Sequence, residues 1–160
     1  MLLVTIFASI ANATDCTPEK LPTLDMPYTV FICDEGLETV VKNAVDFWVS
    51  KGEHLRILYP TLSCPRLIYN GQIKVAFNNA EVATAETETM MPYGLTSRTH
   101  GPVDDTVIYA NVYISTNTDK TDLPILMVHE IGHSLGYGHV DEGCHEHVMN
   151  PIISNMGYKF

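Results

Sequence analysis

The 160-residue chain predicts an α+β domain: a mixed twisted sheet of about five strands carrying two main helices. Three observations carry that prediction. β-rich runs stand at residues 28–33 (YTVFIC), 72–77 (QIKVAF) and 107–115 (VIYANVYIS), each bounded by turn residues. Between the first two, Leu37, Val40, Val41, Ala44, Val45 and Trp48 recur at the i, i+3, i+4, i+7 spacing of a one-sided helix. Further on, apolar Val128, Ile131 and Leu135 alternate with His129 and His133 at helical spacing, so a second helix turns its apolar side inward and its histidines away from the core.

Taken in order, residues 14–26 contain Pro and Thr and read as an N-terminal arm, followed by a first strand at 28–33. Asp34 is the expected N-cap of the first helix, which ends near Lys51-Gly52. Residues 55–59 and 72–77 give the next strands, split by a loop holding Pro and Cys; the strand–helix–strand order predicts that they lie parallel. The polar, threonine-rich stretch 81–91 has no clear period and reads as an exposed loop. Residues 94–99 (GLTSRT) form a short polar strand suited to a sheet edge, and 107–115 is the strongest strand of all. Asp122 is the expected N-cap of the second helix, with Pro124 in its first turn.

The length suits one domain with its own core. Residues 1–13 are uncharged and mostly apolar, and Ala11-Asn12-Ala13 has the small-x-small form of a signal-peptidase site. A signal peptide at 1–13 and a single domain at 14–160 are therefore expected, with export from the cell. The apolar segment is too short to span a bilayer, and the sequon Asn12-Ala13-Thr14 would be destroyed by the cut. The net charge of −10 makes nucleic acid and anionic membranes poor partners and favours neutral or basic peptides. Four cysteines, Cys16, Cys33, Cys64 and Cys144, suit two disulfides in an exported chain, with three connectivities open.

The string His129-Glu130-Ile131-Gly132-His133-Ser134-Leu135-Gly136-Tyr137-Gly138-His139 carries the chemistry. Histidines four apart on a helix lie one above the other and reach a single ion. Glu130 is placed to hold a water on that ion, and Gly136 lets the chain turn back through φ > 0 to deliver His139 as a third ligand. Three neutral imidazoles leave the fourth tetrahedral position open, as at a catalytic zinc. Met149 follows ten residues after His139, in Val148-Met149-Asn150-Pro151. Another cluster invites a metal reading. Cys144-His145-Glu146-His147 is read as a surface loop, because adjacent residues seldom point at one ion. His54 is read as merely exposed.

With Gly136, His139 and Met149 in place, the chain resembles the metzincin zinc endopeptidases, from His129 to Pro151 by motif and over 28–115 by element order. Within that clan it looks most like the matrixins: GQIKVAF resembles their third strand, VIYANVYIS their fifth, and Met149-x-Pro151 their Met-turn. The resemblance implies a metzincin-like fold and a secreted zinc-dependent endopeptidase with one catalytic zinc on His129, His133 and His139. Glu130 is then the general base, and Met149 an apolar floor under the imidazoles. The edge strand Gly94, Leu95, Thr96 would take the substrate as an added strand, and Pro151, Ile152 and Ile153 would wall a hydrophobic pocket. The expected partner is a peptide or protein substrate of a monomeric enzyme. His100, Asp104 and Asp105 fall where matrixins bind structural ions, so Ca2+ or a second zinc is weighed there, although the matrixin site uses several histidines and only one is present. An N-terminal Cys16 thiolate capping the zinc is also conceivable, but the matrixin latency motif is missing. The chain departs from the pattern in Val140 after the third histidine, in Ile153 where a tyrosine is usual, and in having only nine residues after Pro151, which leaves the usual C-terminal helix missing or reduced to a stub.

Two alternatives stay open from sequence. One is a catalytically silent, zinc-stabilised binding or inhibitory module of the same fold; the other is a metallohydrolase of small amides. Glu130 favours a hydrolase, because a non-catalytic zinc site has no use for a general base.

Overall fold

A computed structural model describes residues 16–58, 64–84 and 93–151. Strand β1 (Tyr28–Ile32) leads through a 3-10 turn at Glu35–Leu37 into helix α1 (Glu38–Ser50). Strands β2 (Leu55–Ile57) and β3 (Gln72–Phe77) follow, then the short helix α2 (Asn79–Val82), strands β4 (Gly94–His100) and β5 (Val107–Ile114), and helix α3 (Leu123–Ser134). The α+β class, the five-stranded mixed sheet and both main helices agree with the sequence expectation. The expected signal-peptide segment, Ile152, Ile153 and most of the expected 81–91 loop lie outside the described residues.

The sheet runs β2-β1-β3-β5-β4. Its first four strands are parallel and β4 is antiparallel to β5, which puts GLTSRTH at the edge as its polar composition predicts. Both helices cover one face. Val30 and Ile32 of β1, Ile73 and Val75 of β3, and Val112 and Ile114 of β5 meet Val41, Ala44, Val45 and Trp48 of α1 and Met127, Val128 and Ile131 of α3. The period-2 and period-3.6 patterns thus bury the same core from two sides. Trp48 is the joint between the helices: its Nε1 donates to the Val128 carbonyl at 2.8 Å, and its ring stacks on Tyr137 at 4.8 Å. Gly132 makes room for this packing. A Cβ there would stand 2.5 Å from Met149 Sδ and 2.6 Å from Trp48 Cζ2.

Two local expectations change. Asp34 is not a side-chain cap; its Oδ2 accepts from the Phe77 amide at 2.8 Å and fastens the end of β3 instead. Glu81 and Val82 belong to α2, because Asn78 caps that helix by accepting from the Glu81 amide at 3.2 Å. Asp122 does hold the N-cap position of α3, but its side chain makes no cap bond there.

The arm is stapled across the molecule. Cys16 bonds Cys144, and Cys33 bonds Cys64, so one of the three open connectivities holds and Cys16 is not a free thiolate. Leu21 N donates to the Gly136 carbonyl at 3.0 Å, Gly138 N to the Glu19 carbonyl at 2.8 Å, and Val107 N to the Pro22 carbonyl at 2.9 Å. Glu53 Oε1 receives both Lys20 Nζ and the Tyr137 hydroxyl at 2.6 Å. Arm, α1–β2 turn and the loop after α3 are therefore one unit.

Candidate metal centre

Helix α3 is buried along most of its length, from Ile125 to Gly132, since the sheet, α1 and β4 all pack against it. It ends in a two-bond C-terminal cap. Tyr137 N donates to the Gly132 carbonyl at 3.1 Å and Gly136 N to the His133 carbonyl at 3.0 Å, with Gly136 at φ 90°. A side chain at that φ is strained, so glycine is what allows the reversal that returns His139 over the helix. Below it, Val140 N donates to the Met149 carbonyl at 3.1 Å, and Asn150 Nδ2 to the Glu142 carbonyl at 3.1 Å, which folds the Met149 turn under the histidines.

The three imidazoles converge. Their Nε2 atoms lie 3.0 Å (His129–His133), 3.1 Å (His133–His139) and 3.2 Å (His129–His139) apart. His129 Nδ1 sits 2.8 Å from the Val148 carbonyl and His133 Nδ1 2.8 Å from the Tyr137 carbonyl. A carbonyl only accepts, so both Nδ1 atoms carry the proton and both Nε2 atoms present lone pairs. Lone pairs at such distances repel unless a cation lies among them. A tetrahedral ion with bonds of about 2.0–2.1 Å sets its ligand nitrogens about 3.3–3.4 Å apart, so the donor set and its spacing suit zinc. Among the described residues this trio is the group of three or more able to share an ion.

Burial lowers the pKa of His129 to about 3 and that of His133 to about 4, and it lowers His139 as well, with the Arg98 charge adding to the last two. The imidazoles are thereby kept neutral, as metal ligands must be. Glu130 is 5% exposed, and burial pushes its carboxyl up to about 7, partly offset by a hydrogen bond. That bond comes from β4. Thr96 Oγ1 lies 2.6 Å from Glu130 Oε2 and 2.9 Å from the Glu130 carbonyl, so its single proton is shared between them. Gly94 closes the same side, for a Cβ there would stand 2.5 Å from Glu130 Oε1. The edge strand thus does more than the sequence suggests: Thr96 bonds the carboxylate and the bare Gly94 leaves it room.

The other sequence candidates do not gather. Cys144 is spent in a disulfide, His145 and Glu146 are exposed, and His147 Nδ1 accepts from the Met149 amide at 3.1 Å. Asp104 Oδ1 accepts from Thr106 N at 3.2 Å, and His100 Nδ1 lies 3.0 Å from the Asp105 carbonyl, so these groups serve the β4–β5 turn and the Ca2+ reading there gains no support. Met149 is fully buried beneath the helix, next to Gly132. Pro151 is exposed just after it.

A family model, peptidase M10, described as matrixin, matches residues 63–160, and the chain belongs to that family. No curated protein matches the chain. The matched span holds the edge strand, α3 and the Met149 turn, so membership makes this a zinc metallopeptidase-type domain whose class of substrate is peptide or protein.

Proposed function

We propose that the chain is a secreted zinc endopeptidase, residues 14–160 forming the catalytic domain after removal of a signal peptide at 1–13. One zinc is held by His129, His133 and His139, and Glu130 is the general base. The observation that supports this most is the seated carboxylate beside three lone-pair nitrogens: a purely structural zinc site gains nothing from a buried glutamate held by Thr96 and fitted against Gly94. When bound, the ion supplies Lewis-acid chemistry, polarising a peptide carbonyl and bringing the pKa of water to about 7.

Glu130 takes a proton from the attacking water and delivers it to the leaving amine nitrogen. Thr96 aims the carboxylate and, by bonding its charged form, counters the burial that raises its pKa. A divalent charge nearby acts in the same direction. Met149 supplies an apolar floor under the imidazoles. The outer edge of β4 offers main-chain partners to an extended peptide, which adds as an antiparallel strand along Gly94, Leu95 and Thr96. Pro151 begins the wall of a hydrophobic pocket that continues through Ile152 and Ile153. Two disulfides suit an oxidising, extracellular setting, and no helix among the described residues is long and apolar enough to cross a membrane. The enzyme acts as a monomer on peptides, without nucleic acid or membrane.

Digestion of a diverse peptide library with and without chelator tests the reading. Cleavage that stops with chelator and returns with zinc is expected. A protein that binds zinc and cuts nothing would be the silent module instead. Thr96→Val is expected to lower kcat about tenfold with little change in KM and to move the acidic limb of the pH profile upward, since Glu130 loses the bond that favours its charged form.

A further inference from the structure

Strand β4 carries a cation that its surroundings leave unanswered. In the register with β5, Gly94, Thr96 and Arg98 stand opposite Ile114, Val112 and Ala110, which are fully buried on the helix-covered face. Side chains alternate along a strand, so Arg98 leaves on the same face as Thr96, two positions past the contact with Glu130. There its charge reaches His133 and His139, the residues that follow Glu130 in the site. Its Nη1 is buried and has no hydrogen-bond partner among the described residues.

That is an unusual place to leave a guanidinium. The chain has 19 acidic residues against 9 basic ones, so carboxylates are in excess, yet among the described residues the one ion pair is Lys20–Glu53. A buried donor left unpaired is destabilising, and where a fold keeps one it commonly serves something that arrives. A planar, permanently charged fork fits a carboxylate better than it fits any neutral group.

The direction of β4 says which part of a substrate meets it. The strand runs from Gly94, against Glu130, towards Arg98, whose charge is felt at His133 and His139. A peptide added antiparallel lays its N-terminal portion along Arg98 and its C-terminal portion along Gly94. We propose that Arg98 is a specificity-determining residue that receives an acidic side chain at one of the first positions before the scissile bond. The inference rests on the endopeptidase reading above and refines its substrate class. It also qualifies the expectation drawn from net charge. The chain as a whole repels acidic peptides, whereas this one subsite attracts them.

The test is a positional-scanning peptide library digested by the zinc-loaded full chain, with cleavage sites read by mass spectrometry. The wild type is expected to favour Asp or Glu over Lys before the cut by at least about tenfold, the scale of a charge-assisted hydrogen bond. Arg98→Gln should erase that preference while still cutting peptides neutral at those positions, and Arg98→Glu should turn it towards Lys and Arg. Zinc content of the variants reports whether the centre survives. Cleavage by the wild type without an acidic preference overturns the proposal and leaves the endopeptidase reading intact, and that profile decides even if a variant fails to fold. An equal loss on all peptides in Arg98→Gln also overturns it, since it assigns Arg98 to the reacting centre rather than to selection. A wild type that cuts no peptide removes the endopeptidase reading itself, and this refinement with it.

Discussion

The trio His129, His133 and His139 and the tetrad Cys144-His145-Glu146-His147 follow one another in the chain with similar chemistry, and the fold treats them in opposite ways. In the trio, one helical turn and one glycine-permitted reversal bring three ring nitrogens within 3.2 Å of one another. The tetrad sits in a turn where consecutive side chains diverge: one is bonded to Cys16, two point to solvent, and one bonds the Met149 amide. In each cluster a glutamate directly follows the first histidine. Glu130 is buried and held by Thr96, whereas Glu146 is exposed. Residue type is therefore a weak guide to a metal centre; periodicity and what each other nitrogen or oxygen already bonds decide it.

The sharpest way to break this contrast is to exchange like for like. Glu130→Gln is expected to lower kcat by about 10²–10⁴-fold with zinc retained, while Glu146→Gln leaves turnover unchanged. Steady-state kinetics on any cleaved peptide decide it, and comparable losses in the two variants would erase the distinction. On the metal itself, His139→Ala should weaken zinc binding well beyond the about 10–100-fold typical of an outer hydrogen-bond partner, and His147→Ala should stay within it. Competition with a chromophoric chelator measures both.

Replacing Cys16 and Cys144 together by serine should cost about 2–5 kcal/mol of stability and leave zinc stoichiometry unchanged, because that sulfur serves the arm and not an ion. Denaturant melts beside elemental analysis check the pair. Metal loss in a variant that remains folded would return Cys144 to the ligand set.

The smallest effect is in the pH response of the metal-free chain. An unfolded chain protonates its histidines near 6.5, whereas folded His129 and His133 refuse the proton down to about 3 and about 4, so acidification below 6.5 favours unfolding. Glu130 works the other way, since its folded value of about 7 exceeds 4.5 and proton uptake favours the folded state. His129 and His133 against Glu130 leave a loss of about 1.4 kcal/mol per pH unit between 6.5 and 4.5, and His139, lowered as well, adds to it. Glu130→Gln removes the opposing group and should steepen the loss. Stability that holds level or rises on acidification would contradict these buried, neutral imidazoles.

Much of this was legible in the sequence for a physical reason. Strands β3 and β5 and helix α1 bury one face each, so their periods are written in the residues, whereas β1 and α3 are buried on nearly all sides and show as apolar runs. The trio was legible because its geometry is local, set by helix spacing and by Gly136. Contacts between distant elements were not. Nothing in GLTSRTH says that Thr96 meets Glu130 or that Arg98 Nη1 lacks a partner among the described residues, because both depend on how β4 crosses α3. Disulfide pairing is opaque for the same reason, Cys16 and Cys144 being 128 residues apart. Helix α2 was different: Asn78 followed by Glu81 three residues later is a helix-start signal, overlooked because the stretch around it is polar and without period.

In the proposed enzyme one zinc sits among three imidazoles and draws nothing from the tetrad beside them. X-ray absorption at the zinc edge of the purified, zinc-loaded chain reads those ligands directly. The expected spectrum contains three imidazole nitrogens and one further light atom at about 2.0–2.1 Å. A sulfur shell at about 2.3 Å, or a fourth imidazole, would place the ion on Cys144 or on His145 or His147 and contradict the site described.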